Sequence, residues 1–257
     1  MFNNSMASME RLRRITGAVR ESGQLSVAEL AALTGASEMT VRRDLEVLAE
    51  QGVLERFRGG ARSLLLRGEE PPFALRTQEG GDIKHRIAVE VASLLADGES
   101  VVLDSGTTCL AVAGELQDRR LTVMPLSLHA ANALVTAPRL TLLLPGGRPR
   151  PGELALTGPL TEASLAALRF DTAVLGCCGL DPADGLTAYD LADAAVKRAA
   201  IASSRRVIAV ADAAKLGRTA LAFVAPASAL HAVVTDDRAP ASAVEALTGQ
   251  GVAVRAV

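Results

Sequence analysis

Two sets of residues in this chain are typed and spaced for chemistry. The first follows apolar runs in the second half. Val101-Val102-Leu103 leads into Asp104-Ser105-Gly106-Thr107-Thr108, which opens a helical pattern. A glycine lets backbone approach an anion, and hydroxyls with helix N-terminal amides can bind phosphate oxygens. A plain helix cap accounts for that loop equally well. Gly146, Gly147 and Arg150 follow the run 142–145, and Gly176, Gly179 and Asp181 follow 173–175. Lys197 sits on a helical run beyond Asp190, and Asp212 and Lys215 follow 207–211. Each alone reads as a turn or a solvated charge. Together they put glycines, hydroxyls and cations at strand ends, which suits a polyanionic metabolite. The second set lies near the N-terminus. Ser37, Glu38, Met39, Thr40, Arg42 and Arg43 begin a helical run, and Arg56, Arg58 and Arg62 surround Gly59-Gly60. Arginine pairs bidentately with guanine and Thr contacts base or phosphate, while cations on a hairpin reach phosphates or the minor groove.

The elements that must position these residues are legible in the periodicity. Leu12, Ile15 and Val19 recur at helical spacing up to Gly23. Ser26 and Glu29 form a capping box for a short helix through 33, and Gly35 supplies the turn. Ser37 caps a third helix with Val41, Leu45 and Leu48 as its buried stripe, stopped at Gly52. Residues 53–58 alternate like a strand, Gly59-Gly60 turns, and 61–66 returns. Helices around a glycine turn followed by a hairpin make a winged helix-turn-helix, whose third helix lays its N-terminal half in the major groove. Periodicity alone equally allows a small helical subdomain whose arginines are a solvated face. Asp44 is expected to pair with an arginine, because phosphate repels a carboxylate.

Beyond this head, 67–72 reads as an extended linker and Gly80-Gly81 as a second break. A helix carrying Ile87, Val91, Leu94 and Leu95 follows. Strand patterns at 100–103, 121–126, 140–144, 172–175, 207–210 and 232–235 mostly alternate with helical runs. That alternation predicts an α/β domain with a mainly parallel sheet, whose ligands bind at the carboxyl ends of strands. The expected division is a winged helix-turn-helix over 1–66, a linker over 67–81 and an α/β effector-binding domain over 82–257.

Bulk properties narrow the class. With 257 residues, 49% hydrophobic and 22% charged, the chain can pack a core and is not globally disordered. Aromatic residues are 2%, so the core must be aliphatic. Net charge is −2, but residues 1–68 carry ten arginines against eight acidic residues, while the rest carries 17 basic against 21 acidic. A weakly basic head is thereby permitted. Cys109, Cys177 and Cys178 form no disulfide framework, and the adjacent pair reads as packed rather than redox-active. No leader pattern opens the chain, and no run approaches the roughly 18 apolar residues of a membrane span. No GxGxxG follows a strand, and no His or Cys cluster has metal spacing. The expectation is a cytoplasmic protein without cofactor, metal or membrane contact.

The motifs carry a family resemblance. The run from Gln24 to Ala61 resembles the DNA-binding head of the DeoR family of bacterial repressors, with Thr40-Val41-Arg42-Arg43-Asp44-Leu45 matching its recognition helix and Gly59-Gly60-Ala61 its wing tip. Arg58 stands where the family usually has His. In the second part, Lys84 to Ile87, LDSGTT, PGG with Arg150, GCCGLD, VKRA and Asp212, Lys215 and Gly217 match the family's sensor domain. That domain is similar to ribose-5-phosphate isomerase. The resemblance implies that Ser105, Gly106, Thr107 and Thr108 hold phosphate and that Lys197 and Lys215 face the same cleft. Pro125-Leu126-Ser127 departs from the Thr-Asn-Asn or Thr-Asn-Ser run of many family members, leaving Ser127 as the polar residue there.

The expected function is a repressor of sugar or carbohydrate genes, a homodimer or homotetramer, that binds a double-stranded operator under control of a phosphorylated effector. The alternative is a sugar-phosphate isomerase with an accessory head, using Asp104, Asp181 or Asp193 as base and Lys197 as electrophile. No strong catalytic constellation supports it, and an isomerase has no use for a winged helix.

Overall fold

The computed structural model describes residues 2–50, 53–63, 71 and 73–257, in two units, Met1–Arg76 and Thr77–Val257. In the first unit α1 (Phe2–Ser22) stops at Gly23, whose φ of +77° suits glycine. A three-residue strand, β1 (Gln24–Ser26), leads into α2 (Val27–Thr34). The capping box is present: Ser26 Oγ accepts from the Glu29 amide at 3.2 Å, and Glu29 Oε2 accepts from the Ser26 amide at 2.8 Å. Gly35, at φ +69°, donates to the Ala31 carbonyl and turns the chain toward α3 (Glu38–Glu50). Ser37 Oγ accepts from the Thr40 amide at 3.2 Å. Ile15, Val19, Leu30, Val41, Leu45 and Leu48 bury in one core with Val53 and Leu54. The wing is β2 (Leu54–Phe57) against β3 (Gly60–Ser63), and β3 pairs on its other side with β1. Gln24–Ser26 is too short to show alternation, so β1 was not expected. The Gly52 helix stop and the extension of the second wing strand to 66 lie outside the described residues.

Of the linker span 67–81, only 67–72 reads as extended. Its residues 67–70 and 72 lie outside the described residues, but Phe73–Gln78 forms α4. The reason is burial: Phe73 and Leu75 are 7% and 8% exposed, and Leu75 joins the head's core.

The second unit is built on a seven-stranded sheet. After α5 (Gly81–Leu94) come β4 (Ser100–Leu103), α6 (Thr107–Glu115), β5 (Thr122–Pro125), α7 (Leu128–Leu134) and the short β6 (Thr141–Leu142). Two-residue strands β7 (Arg148–Pro149) and β8 (Leu156–Thr157) pair with each other before α8 (Pro159–Ala166) and β9 (Phe170–Gly176). Then follow β10 (Gly179–Asp181), β11 (Gly185–Ala188), α9 (Leu191–Ala202), β12 (Ser204–Val210), β13 (Ala222–Ala225), β14 (Ala232–Thr235), α10 (Ala241–Gly249) and β15 (Ala253–Ala256). The main sheet runs β15-β14-β12-β9-β4-β5-β6, and every pairing in it is parallel. Its central strands are buried on both faces along most of their length, and those buried stretches are largely apolar, whereas β15, at the edge, carries exposed Arg255. Val101, Leu103, Val174, Ile208 and Val234 pack with α5, α6 and α7. Their alternates Val102, Ala173, Leu175, Ala209 and Val233 pack with α8, α9 and α10. All six expected strands are present. β15 and an antiparallel sheet, β10-β11-β13, were not anticipated.

Candidate functional site

The order of the main sheet locates a crevice. The chain enters at β4, moves outward through β5 and β6, returns at β9 on the other side of β4, and continues outward through β12, β14 and β15. The carboxyl ends of β4 and β9 therefore flank the topological switch point, where connections diverge and ligands bind in sheets of this kind. Asp104 follows β4 and Gly176 ends β9. The Gly176 amide donates to Asp104 Oδ2 at 3.0 Å, across the switch. Lys197, from α9, donates to the same oxygen, and Asp193 Oδ2 stands 3.5 Å from its Nζ, one helical turn back. All three charged residues are buried.

Burial pushes the Asp104 carboxyl above its ordinary value; Lys197 pulls it back and Asp193 adds to the rise. Burial disfavours the Lys197 ammonium, but Asp104 and Asp193 outweigh burial and hold its pKa above the usual lysine value. Lys197 thus stays charged. This changes its expected role. It does not project into a cleft as a free cation, because two carboxylates already satisfy it. With all three groups ionised, the cluster carries one net negative charge.

The anion-type features lie beside this cluster. Gly106, at φ +101°, is the N-cap of α6 and offers no side chain, so the helix's first-turn amides receive no side-chain cap. Ser105 and Thr107 are buried and Thr108 half-buried. A Cβ at Gly176 would stand 3.1 Å from the Ser105 carbonyl and 3.5 Å from Cys109 Sγ, so the missing side chain eases the close approach of β9 to the 104–108 loop. Helix amides and hydroxyls can meet anionic oxygens here, and the adjacent carboxylate can accept from a hydroxyl.

The remaining expected residues fall into separate local groups. Ser127 is buried and caps α7, accepting from the Ala130 amide at 3.1 Å. It bridges to Ala155, whose carbonyl accepts from the Arg150 amide at 2.8 Å, so Ser127 and Arg150 flank one residue. Arg150 Nε is buried without a hydrogen-bond partner among the described residues. Gly146 accepts from Thr161 Oγ1 at 2.7 Å, and a Cβ at Gly147 would lie 2.0 Å from that oxygen. These two glycines seat the loop on α8. Gly179 is buried, with room for no Cβ beside the Arg218 carbonyl. Asp181 Oδ1 accepts from the amides of Ala183 and Asp184, which ties it to its own turn rather than to the crevice. Lys215 ends a short helical turn, Ala213–Lys215, held to β10 by the Gly217 amide on the Leu180 carbonyl at 2.9 Å.

Two buried carboxylates, one in the first turn of α9 and one at a strand end, fall outside the expected site. Asp193 was read only as a possible base, although its i, i+4 spacing to Lys197 signals a pair. Asp236 follows β14 and is wholly buried, accepting from Arg238 Nε and the Ala213 amide, each at 2.6 Å. Beside it, burial and then Asp236 push the Asp212 carboxyl up.

In the head, residues 39, 42, 43 and 46 of α3 are exposed while 41, 44, 45 and 48 are buried. Asp44 pairs with an arginine as expected, but that arginine is Arg11 of α1: Nε to Oδ2 is 2.5 Å and Nη2 to Oδ1 is 3.2 Å. Arg42 reaches Glu38 at 2.8 Å, Arg56 reaches Glu46 at 2.9 Å, and Arg62 reaches Glu55 at 2.7 Å. Arg43 and Arg58 are exposed and enter no ion pair among the described residues. Gly59, at φ +96°, is the exposed wing tip, whereas Gly60 is buried, where a Cβ would lie 2.4 Å from the Leu25 carbonyl. Gly60 therefore closes the wing onto β1.

Among the described residues, no helix is long and apolar enough to cross a membrane. Comparison with known proteins agrees with the two-part architecture. Residues 11–65 match the DeoR-like helix-turn-helix domain and residues 80–237 the DeoR C-terminal sensor domain. The glycerol-3-phosphate regulon repressor of Escherichia coli (strain K12) is 33% identical over 244 residues, 95% of this chain and 96% of that one. The uncharacterized HTH-type transcriptional regulator YulB of Bacillus subtilis (strain 168) is 31% identical over 252 residues, 98% of each. Ribose 5-phosphate isomerase A from Methanocaldococcus jannaschii aligns with 54% of this chain and 55% of that one, at 16% identity and a TM-score of 0.41. The full-length relatives regulate transcription, and the isomerase alternative is set aside. Matched in both its parts and along nearly all its length, the chain belongs to the DeoR family of DNA-binding transcriptional regulators.

Proposed function

We propose that this regulator is a cytoplasmic homo-oligomeric repressor whose hold on operator DNA is set by a phosphorylated small metabolite bound at the β4–β9 switch point. The observation that carries the reading is the uncapped N-terminus of α6 beside Ser105, Thr107 and Thr108, at the one place where the main sheet's connections diverge. The effector's phosphate sits on those amides and hydroxyls, and Asp104 accepts from a hydroxyl of its carbon skeleton. Arg43 and Arg58 contact DNA, with Ser37, Thr40, Arg42, Arg56 and Gly59 around them. Two heads are required because a lone helix-turn-helix gives little affinity and operators mirror two-fold symmetry.

The test is a thermal-shift series with glycerol 3-phosphate and a panel of sugar and polyol phosphates, each beside its unphosphorylated parent. A ligand at 100 times its Kd stabilises by about 2.7 kcal/mol. The expected hit stabilises only in phosphorylated form, weakens operator binding, and loses both effects in Thr108→Leu while that variant still binds DNA. If Thr108→Leu responds to the hit like the parent, the phosphate site is elsewhere.

A further inference from the structure

We infer that Met39 is a base-reading residue that recognises thymine through its 5-methyl group; the inference rests on the DNA-binding reading of the head. Met39 lies in the first turn of α3 and is 61% exposed. It shares a face with Arg42, Arg43 and Glu46, at i+3, i+4 and i+7, while the opposite face supplies Val41, Leu45 and Leu48 to the core. Met39 is not among the residues of the head's core cluster. Its polar neighbours are engaged: the Thr40 hydroxyl lies 2.9 Å from Ser37 Oγ, and Arg42 is held by Glu38. The first turns of the recognition helix therefore present one long apolar side chain and one cation, Arg43, that enters no ion pair among the described residues.

In the major groove the methyl of thymine is the one apolar feature on a base edge; the other positions are hydrogen-bond donors and acceptors. Methionine is unbranched and polarizable, and adapts to such a contact without a fixed rotamer. Four residues along a helix advance about 6 Å, close to two base-pair steps of about 3.4 Å. The thymine thus lies within about two base pairs of the pair that Arg43 contacts.

The experiment selects duplexes from a random pool with the full chain. One selected duplex is then resynthesised with deoxyuridine in place of each thymine in turn, which deletes the methyl and keeps the pairing. At one position within about two base pairs of the Arg43 contact, the parent is expected to lose about fourfold in affinity, equivalent to roughly 0.8 kcal/mol for one buried methyl-sized group. Met39→Ala is expected to bind the thymine and uracil duplexes equally, with its melting midpoint unchanged because the residue is exposed. The inference is overturned if Met39→Ala keeps every uracil penalty of the parent, or if no uracil substitution costs the parent anything. Failure of the pool to enrich at all would strike the DNA-binding reading instead.

Discussion

Replacing Lys197 with methionine removes the cation from a pocket that still holds two carboxylates. The Lys197, Asp104 and Asp193 side chains are 4%, 2% and 9% exposed, so water screens the loss little. Breaking a buried ion pair by removing one partner costs about 3–5 kcal/mol. In a unit of this size 1 kcal/mol is worth about 2–4 °C, so the midpoint should fall by roughly 6–20 °C. The deficit must also depend on pH. Asp104 is already raised above its ordinary value by burial, and in the variant the lysine no longer pulls it down. A carboxyl whose folded pKa exceeds its unfolded pKa favours the folded state while protonated and loses that contribution as pH rises through the folded value. The deficit of Lys197→Met should therefore be fullest at pH 8 and smaller at pH 5.5. Adding Asp104→Asn should recover part of it by leaving one unpaired charge in place of two. Urea melts of the full chain at both pH values measure this. Equal deficits at the two pH values, or a double variant no more stable than Lys197→Met, would refute the charge-pairing argument.

Three further outcomes follow from named contacts. Asp44→Asn strips Arg11 of its two-point partner and should cost the head about 1.5–3 kcal/mol, the worth of hydrogen bonds to a charged group, read from the head's own transition in denaturant. Gly60→Ala forces a Cβ against the Leu25 carbonyl and should weaken operator binding without changing any charge, seen as reduced affinity with an unaltered salt slope. Asp171 is held below its usual value by the Ser100 amide and hydroxyl, so it stabilises above the ordinary carboxylate pKa and that support is lost as pH falls through the lowered one. Asp171→Asn should accordingly flatten the acid limb of the stability curve below about pH 4.

What was legible in the sequence depended on how local the signal is. The Ser26–Glu29 capping box, the Gly35 turn and the six core strands all announce themselves within a few residues, and each is present. The antiparallel sheet β10-β11-β13 did not show, because β10 has only three residues and β13 lies far along the chain from β11. The loop 104–108 stood out as a glycine and hydroxyls after an apolar run. That Lys197 would spend its charge on Asp104 could not be read, because the two are 93 positions apart. For the same reason Asp44 pointed to an arginine, but not to one 33 positions earlier. Phe73 and Leu75 were passed over because prolines nearby read as linker, although their burial makes that stretch helical.

The wide spacing of the switch-point residues sets an order of events during synthesis. The head's core is complete once Leu75 has been made. The charge cluster beside the α6 loop cannot close until α9 delivers Asp193 and Lys197. At about 5–20 residues per second, the ribosome needs roughly 6–24 s to bridge that interval. For that time a nascent chain carries all the residues of the head's core and an incomplete second unit. The head therefore emerges before the second unit's charge cluster can exist.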